Sequence, residues 1–132
     1  MPEEERIKIN NKKEAEALKK QGNELYMKKK FAEALAAYDG AIAKDPEEIT
    51  FHTNKAAVYF EMKDYDACIQ SCDGGIEIAQ KGNYDYVKLS KAMARKANAL
   101  VQQGKFDEGI ALYGKALIEN QDHAIKMGLQ KA

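Results

Sequence analysis

The sequence predicts an all-α fold: three stacked antiparallel helix pairs and a short C-terminal capping helix, wound as a right-handed superhelix. Two observations predict it. One pattern of small and aromatic residues recurs three times along the chain. No stretch shows the period-two alternation of a half-buried strand.

The three copies begin at Gly22, Ala56 and Ala97. Each opens on that small residue and reaches an aromatic near its middle: Phe31, Tyr65, Phe106. Three positions later comes Ala34, Cys68 or Gly109, then Tyr38, Cys72 or Tyr113, then Ala41, Gly75 or Ala116. Gly22 and Ala56 lie 34 positions apart, the period of the tetratricopeptide repeat (TPR). Ala56 and Ala97 lie 41 apart, which implies a seven-residue insertion. Each repeat is then a helix A followed by a helix B. Small residues let the two backbones cross closely, and aromatics fill the gap to the next repeat. No repeat buries its apolar face alone, so stability comes from stacking.

This reading places helices near 12–29, 31–44, 47–61, 65–79, 84–103 and 106–118. Residues 1–11 are expected to form a loose leader and 12–132 the repeat domain, with repeats at about 15–48, 49–82 and 90–121. Asp45 and Pro46 suit the N-cap and first turn of the third helix. The insertion should make the fifth helix, starting near Tyr84-Asp85-Tyr86, the longest. Residues 122–132 form the expected cap, with Ile125 and Leu129 one turn apart. Four glycines in the B helices, Gly40, Gly74, Gly75 and Gly114, point to modest stability.

The composition narrows the function. The chain of 132 residues carries 21 basic and 21 acidic side chains, without the basic excess of a nucleic-acid binder. The lysine runs 12–13, 19–20 and 28–30 are interleaved with acids and read as solvated surface. Mean hydropathy is −0.62, and no apolar run approaches the ~20 residues of a membrane span. The N-terminus lacks the apolar segment of a secretory signal, so a cytoplasmic location is expected. Cys68 and Cys72 fall at small-residue core positions, and His52 and His123 stand on other elements, so no metal site is expected. No nucleophile–base arrangement, phosphate loop or carboxylate pair appears, so neither an enzyme nor a cofactor is expected. A monomeric binding module remains.

The A helices of a curved stack line its concave side. Lys19 and Asn23 share a face at i, i+4, as do Lys91 and Arg95, with Asn98 a turn further and Asn54 on the helix between. Ammonium, guanidinium and amide donors converging from three helices can hold carboxylates by charge-assisted hydrogen bonds. A peptide C-terminus is the natural ligand. Tyr26, Thr50, Thr53, Phe60, Glu61, Ala94 and Val101 should line the rest of the groove.

The segments KKQGNELY, ITFHTNKAAVYFE and LSKAMARKANAL resemble the carboxylate-clamp TPR domains of chaperone adaptors. The run from Tyr59 to Cys72 and the Asp85-Tyr86 pair most resemble the central domain of the adaptor joining heat-shock proteins 70 and 90. The resemblance covers residues 14–131 and departs at Ala97, where the family usually has glycine, a change expected to matter little. It implies a clamp of Lys19, Asn23, Asn54, Lys91 and Arg95. The implied ligand is the Glu-Glu-Val-Asp tail of heat-shock protein 90, with the heat-shock protein 70 tail or a scaffold role as alternatives.

Overall fold

The computed structural model describes residues 1–82 and 85–126, with side chains through residue 118. Six helices follow one another: α1 (Glu3–Met27), α2 (Phe31–Lys44), α3 (Ile49–Glu61), α4 (Tyr65–Lys81), α5 (Tyr86–Gln102) and α6 (Phe106–Lys126). There is no strand among the described residues.

The turn inside each repeat is the same device three times. Lys29, Lys63 and Gly104 adopt left-handed φ values of 61°, 63° and 84°. Around each, two backbone N–H groups reach back to close the helix end: Lys30 to Leu25 and Lys29 to Tyr26, Asp64 to Tyr59 and Lys63 to Phe60, Lys105 to Leu100 and Gly104 to Val101. The three left-handed positions keep the repeat's own offsets. Only the third uses glycine, which adopts this conformation without a Cβ penalty.

Three sequence expectations need correction. Residues 3–11, expected as a loose leader, are the opening turns of α1. Their good helix formers and the acidic first turn Glu3-Glu4-Glu5, which complements the helix dipole, account for this. Asp45 and Pro46 do not start α3; they lie in the preceding turn, and α3 begins at Ile49. Glu48 is the cap, its carboxylate accepting from the Thr50 N–H at 3.1 Å while Lys88 Nζ sits 2.7 Å away. The fifth helix is not the longest: α5 has 17 residues, against 25 in α1 and 21 in α6. The inserted residues are shared between α4, with 17 residues against 14 in α2, and α5, with 17 against 13 in α3.

The predicted cap falls partly outside the described residues, which end at Lys126. Up to there, residues 122–126 continue α6 rather than start a separate helix.

The small residues sit where the repeat pattern needs them. Ala15, Ala34, Ala41, Ala56, Cys68, Cys72 and Ala97 are fully buried. Phe51 of α3 packs between Ala15 and Ala41, and Val58 packs against Ala34 and Tyr38. Leu89 and Met93 of α5 pack on Ile49, Ala79 and Ala116. Three of the four B-helix glycines are packing sites: a Cβ would come 3.2 Å from Leu18 at Gly40, 2.9 Å from His52 at Gly74 and 3.2 Å from Ile49 at Gly75. Gly114 has nothing within 4 Å.

Ion pairs join the repeats in register. Lys55 of α3 reaches back to Asp39 of α2, and Lys96 of α5 to Asp73 of α4, both at 2.7 Å. On the last B helix the equivalent position is Gly114, and Ile110 and Leu117 are 65% and 69% exposed. Their counterparts in the earlier repeats, Leu35, Ile42, Ile69 and Ile76, pack against core clusters.

The odd helices pack side by side, α3 against both α1 and α5, while α2, α4 and α6 do not touch one another among the described residues. That asymmetry makes the odd helices the inner, concave layer.

Candidate functional site

Each A helix offers polar side chains toward this inner layer, and two groups of them are brought together. In the first, Asn23 of α1 meets Asn54 of α3, whose Nδ2 lies 3.5 Å from Asn23 Oδ1. The same Asn23 oxygen accepts from the Tyr38 hydroxyl at 2.5 Å. In the second, Glu61 of α3 and Arg95 of α5 both act on Tyr26 of α1. Burial raises the Tyr26 pKa, the neighbouring Glu61 carboxylate raises it further by charge and hydrogen bonding, and the Arg95 charge opposes. Tyr26 also stacks in a tilted arrangement on Phe31, with ring centroids 6.1 Å apart. Tyr26, Met27, Lys29, Phe31 and Glu61 line a cavity of about 230 Å³ at this end of the layer.

Arg95 is the anchor of the basic set. Its Nε is buried and donates to no described group, an expensive state for a guanidinium donor. Its charge also reaches the buried Cys68 and Cys72. Those thiols pair with each other: Cys72 donates to Cys68, which lowers the pKa of Cys68 and raises that of Cys72. They are core residues, and no group of three or more metal-ligating side chains occurs among the described residues.

The other predicted residues are placed as follows. Lys19 pairs with Glu16 at 2.6 Å within α1. A pair of this partly exposed kind contributes about 0–1 kcal/mol, so it yields readily to a stronger acceptor. Lys91 and Asn98 are exposed on α5, one turn either side of Arg95. Thr50 is committed locally, its hydroxyl bonding the Glu48 carboxylate at 3.1 Å, and Thr53 bonds back to the Thr50 carbonyl at 3.0 Å. Phe60 packs edge-on to Tyr65 with centroids 5.4 Å apart, within the α3–α4 core.

Sequence reasoning missed two partners of this layer. Tyr38 was read only as a packing position, and nothing in the repeat pattern says that its hydroxyl reaches Asn23. Lys88 ties the cap of α3 to α5 from 40 positions away, which spacing alone cannot reveal.

Hairpins of two helices, stacked so that alternate helices form an inner layer, define a helical-repeat protein. The chain belongs to the tetratricopeptide-repeat family: the models for "TPR repeat" and "Tetratricopeptide repeat" match residues 22–63 and 95–129. It is 37% identical to "Hsp70-Hsp90 organising protein" of Plasmodium falciparum over 86% of this chain and 20% of the relative. It is 40% identical to "Stress-induced-phosphoprotein 1" of Caenorhabditis elegans over 76% of this chain and 32% of the relative. The chain thus spans about a fifth to a third of these relatives.

Among solved structures it matches the N-terminal domain of stress-induced protein-1 from C. elegans with 38% identity and a TM-score of 0.78, covering 83% of this chain and 86% of that one. It matches the TPR2AB-domain:pHSP90 complex of yeast Sti1 with 31% identity and a TM-score of 0.76, covering 80% and 40%. It matches the second TPR of Spaghetti (RPAP3), bound to the HSP90 peptide SRMEEVD, with 28% identity and a TM-score of 0.70, covering 83% and 94%. One of these domains is N-terminal, so the likeness is not confined to a central domain.

Proposed function

We propose that this chain is a co-chaperone adaptor module that holds the acidic C-terminal tail of heat-shock protein 90, in the manner of the heat-shock organising proteins. In this reading Lys19, Asn23 and Asn54 hold the terminal carboxylate. Lys91 and Arg95 grip the terminal Asp side chain and the backbone or Glu before it. Tyr26, Glu61, Thr50 and Asn98 border the path of the preceding residues. The observation that carries the reading is the buried Arg95 Nε with no acceptor, on the same layer as the paired Asn23 and Asn54 amides. A carboxylate supplies the acceptor that the Arg95 guanidinium lacks, and a guanidinium binds it with geometric specificity.

Affinity should be near micromolar, about −8 kcal/mol, because a short flexible peptide must be ordered on binding. It should weaken as salt screens the exposed charges. The preference for the heat-shock protein 90 tail over that of heat-shock protein 70 rests on the resemblance of the Tyr59–Cys72 run and the Asp85-Tyr86 pair to the central domain, since solved neighbours carry peptides of both chaperones. Titrating both tail peptides side by side tests that preference. Arg95→Glu tests the site itself: it should abolish tail binding, whereas a scaffold using another surface would tolerate it.

A further inference from the structure

We propose that Tyr38 is a positioning residue of this site, acting through Asn23; the proposal rests on the carboxylate-binding reading above. Tyr38 is 1% exposed, so its hydroxyl proton needs an acceptor inside the protein. Asn23 Oδ1 is that acceptor, at 2.5 Å across the α1–α2 crossing. An asparagine amide otherwise rotates through two broad, nearly equivalent orientations. One presents two N–H donors to an arriving carboxylate; the other presents an oxygen, which repels it. The Tyr38 hydroxyl and Asn54 Nδ2 both aim at the same Asn23 atom, which selects oxygen inward and NH2 toward the groove. Burial pushes the Tyr38 phenol up to about 12, so it remains a donor throughout the physiological range.

The third repeat holds an internal control. Asn98 and Tyr113 stand at the positions of Asn23 and Tyr38, with the same separation along the chain. No hydrogen bond joins them among the described residues, and Tyr113 is only half-buried. The neighbouring small residue differs. A Cβ on Gly22 would lie 2.6 Å from Cε1 of Tyr38, and the equivalent of Gly22 in the third repeat is Ala97, which carries one. Gly22 therefore makes room for the ring that holds Asn23.

The test is Tyr38→Phe, which keeps the ring and removes the hydroxyl. Its affinity for a labelled free-acid tail peptide should fall about tenfold, with the thermal midpoint nearly unchanged. In an Asn23→Ala background the same change should have no further effect. Equal binding by Tyr38→Phe, or an undiminished effect without Asn23, overturns the proposal. A second readout needs no ligand: by NMR, the Asn23 side-chain amide should be ordered in the unliganded protein and mobile in Tyr38→Phe. An Asn23 amide equally mobile in both also overturns it. Failure of the native protein to bind the free-acid tail instead defeats the carboxylate-binding reading, while the NMR comparison still decides whether Tyr38 orients Asn23.

Discussion

Lys88 of α5 lies 2.7 Å from Glu48, the residue that caps α3 two helices earlier. The contact fixes an inner-layer helix at its N-terminus and ties the second repeat to the third. Burial alone would raise the Glu48 pKa, but hydrogen bonds from Lys88 and Thr50 and the Lys88 charge hold it below the usual carboxylate range. Glu48→Ala removes cap and partner together and should cost about 1–2 kcal/mol. Lys88→Ala, which leaves the cap in place, should cost about 0.5–1 kcal/mol. Denaturant titration of the two variants separates them. Because the folded pKa is depressed, this stabilisation is present above the unfolded-state pKa of Glu48 and is lost as pH falls through its folded value.

Gly22 and Gly114 are both helical glycines, yet alanine should act in opposite directions at them. At Gly22 the new methyl meets the buried Tyr38 ring at 2.6–3.0 Å, so overpacking should cost about 1–3 kcal/mol. At Gly114 there is nothing within 4 Å, so Gly114→Ala should stabilise by about 0.5–1 kcal/mol. Thermal denaturation of both variants checks the signs.

Lys29 and Lys63 carry side chains in a left-handed conformation that glycine adopts more easily. Lys29→Gly and Lys63→Gly should each stabilise by about 0.5–1 kcal/mol, after allowing for the entropy glycine restores to the unfolded chain. Gly104→Ala should destabilise by about 1 kcal/mol, since its φ is 84°. Equal effects at all three sites would contradict the shared turn geometry.

His52 should make the fold acid-sensitive above the carboxylate range. Burial lowers its pKa, the Lys55 charge lowers it further, and Asp39 opposes. Its side chain is also pressed against Gly74 and flanked by Gly75. A depressed histidine pKa means that the unfolded chain binds the proton more readily, so stability falls as pH drops below about 6.5 and levels off below the folded pKa. His52→Gln should flatten the dependence of the thermal midpoint on pH between about 7 and 5. An unchanged slope would count against the burial argument.

The stack was legible in the sequence because its determinants are local and repeated. Small residues at Gly22, Ala34, Ala41 and their counterparts state where backbones cross, and the aromatics Phe31, Tyr65 and Phe106 recur at one offset in each repeat. The opening of α1 was not legible, since a charged, apolar-poor segment reads alike as loop or solvated helix. The start of α3 was misplaced because Asp45-Pro46 is a strong local signal, whereas the cap at Glu48 is fixed by Lys88, a partner the sequence places far away. For the candidate site, helical spacing could put Lys19 with Asn23 and Lys91 with Arg95. It could not say that Thr50 spends its hydroxyl on a cap, nor that Asn23 is held from behind by Tyr38.

The central claim is that this inner layer recognises a chain's free C-terminal carboxylate. Calorimetric titration with a tail peptide ending Glu-Glu-Val-Asp, as free acid and as C-terminal amide, tests it most directly. The account predicts a dissociation constant near ~1 μM for the acid and a loss of at least about 100-fold on amidation. Equal affinity for the two peptides would contradict it.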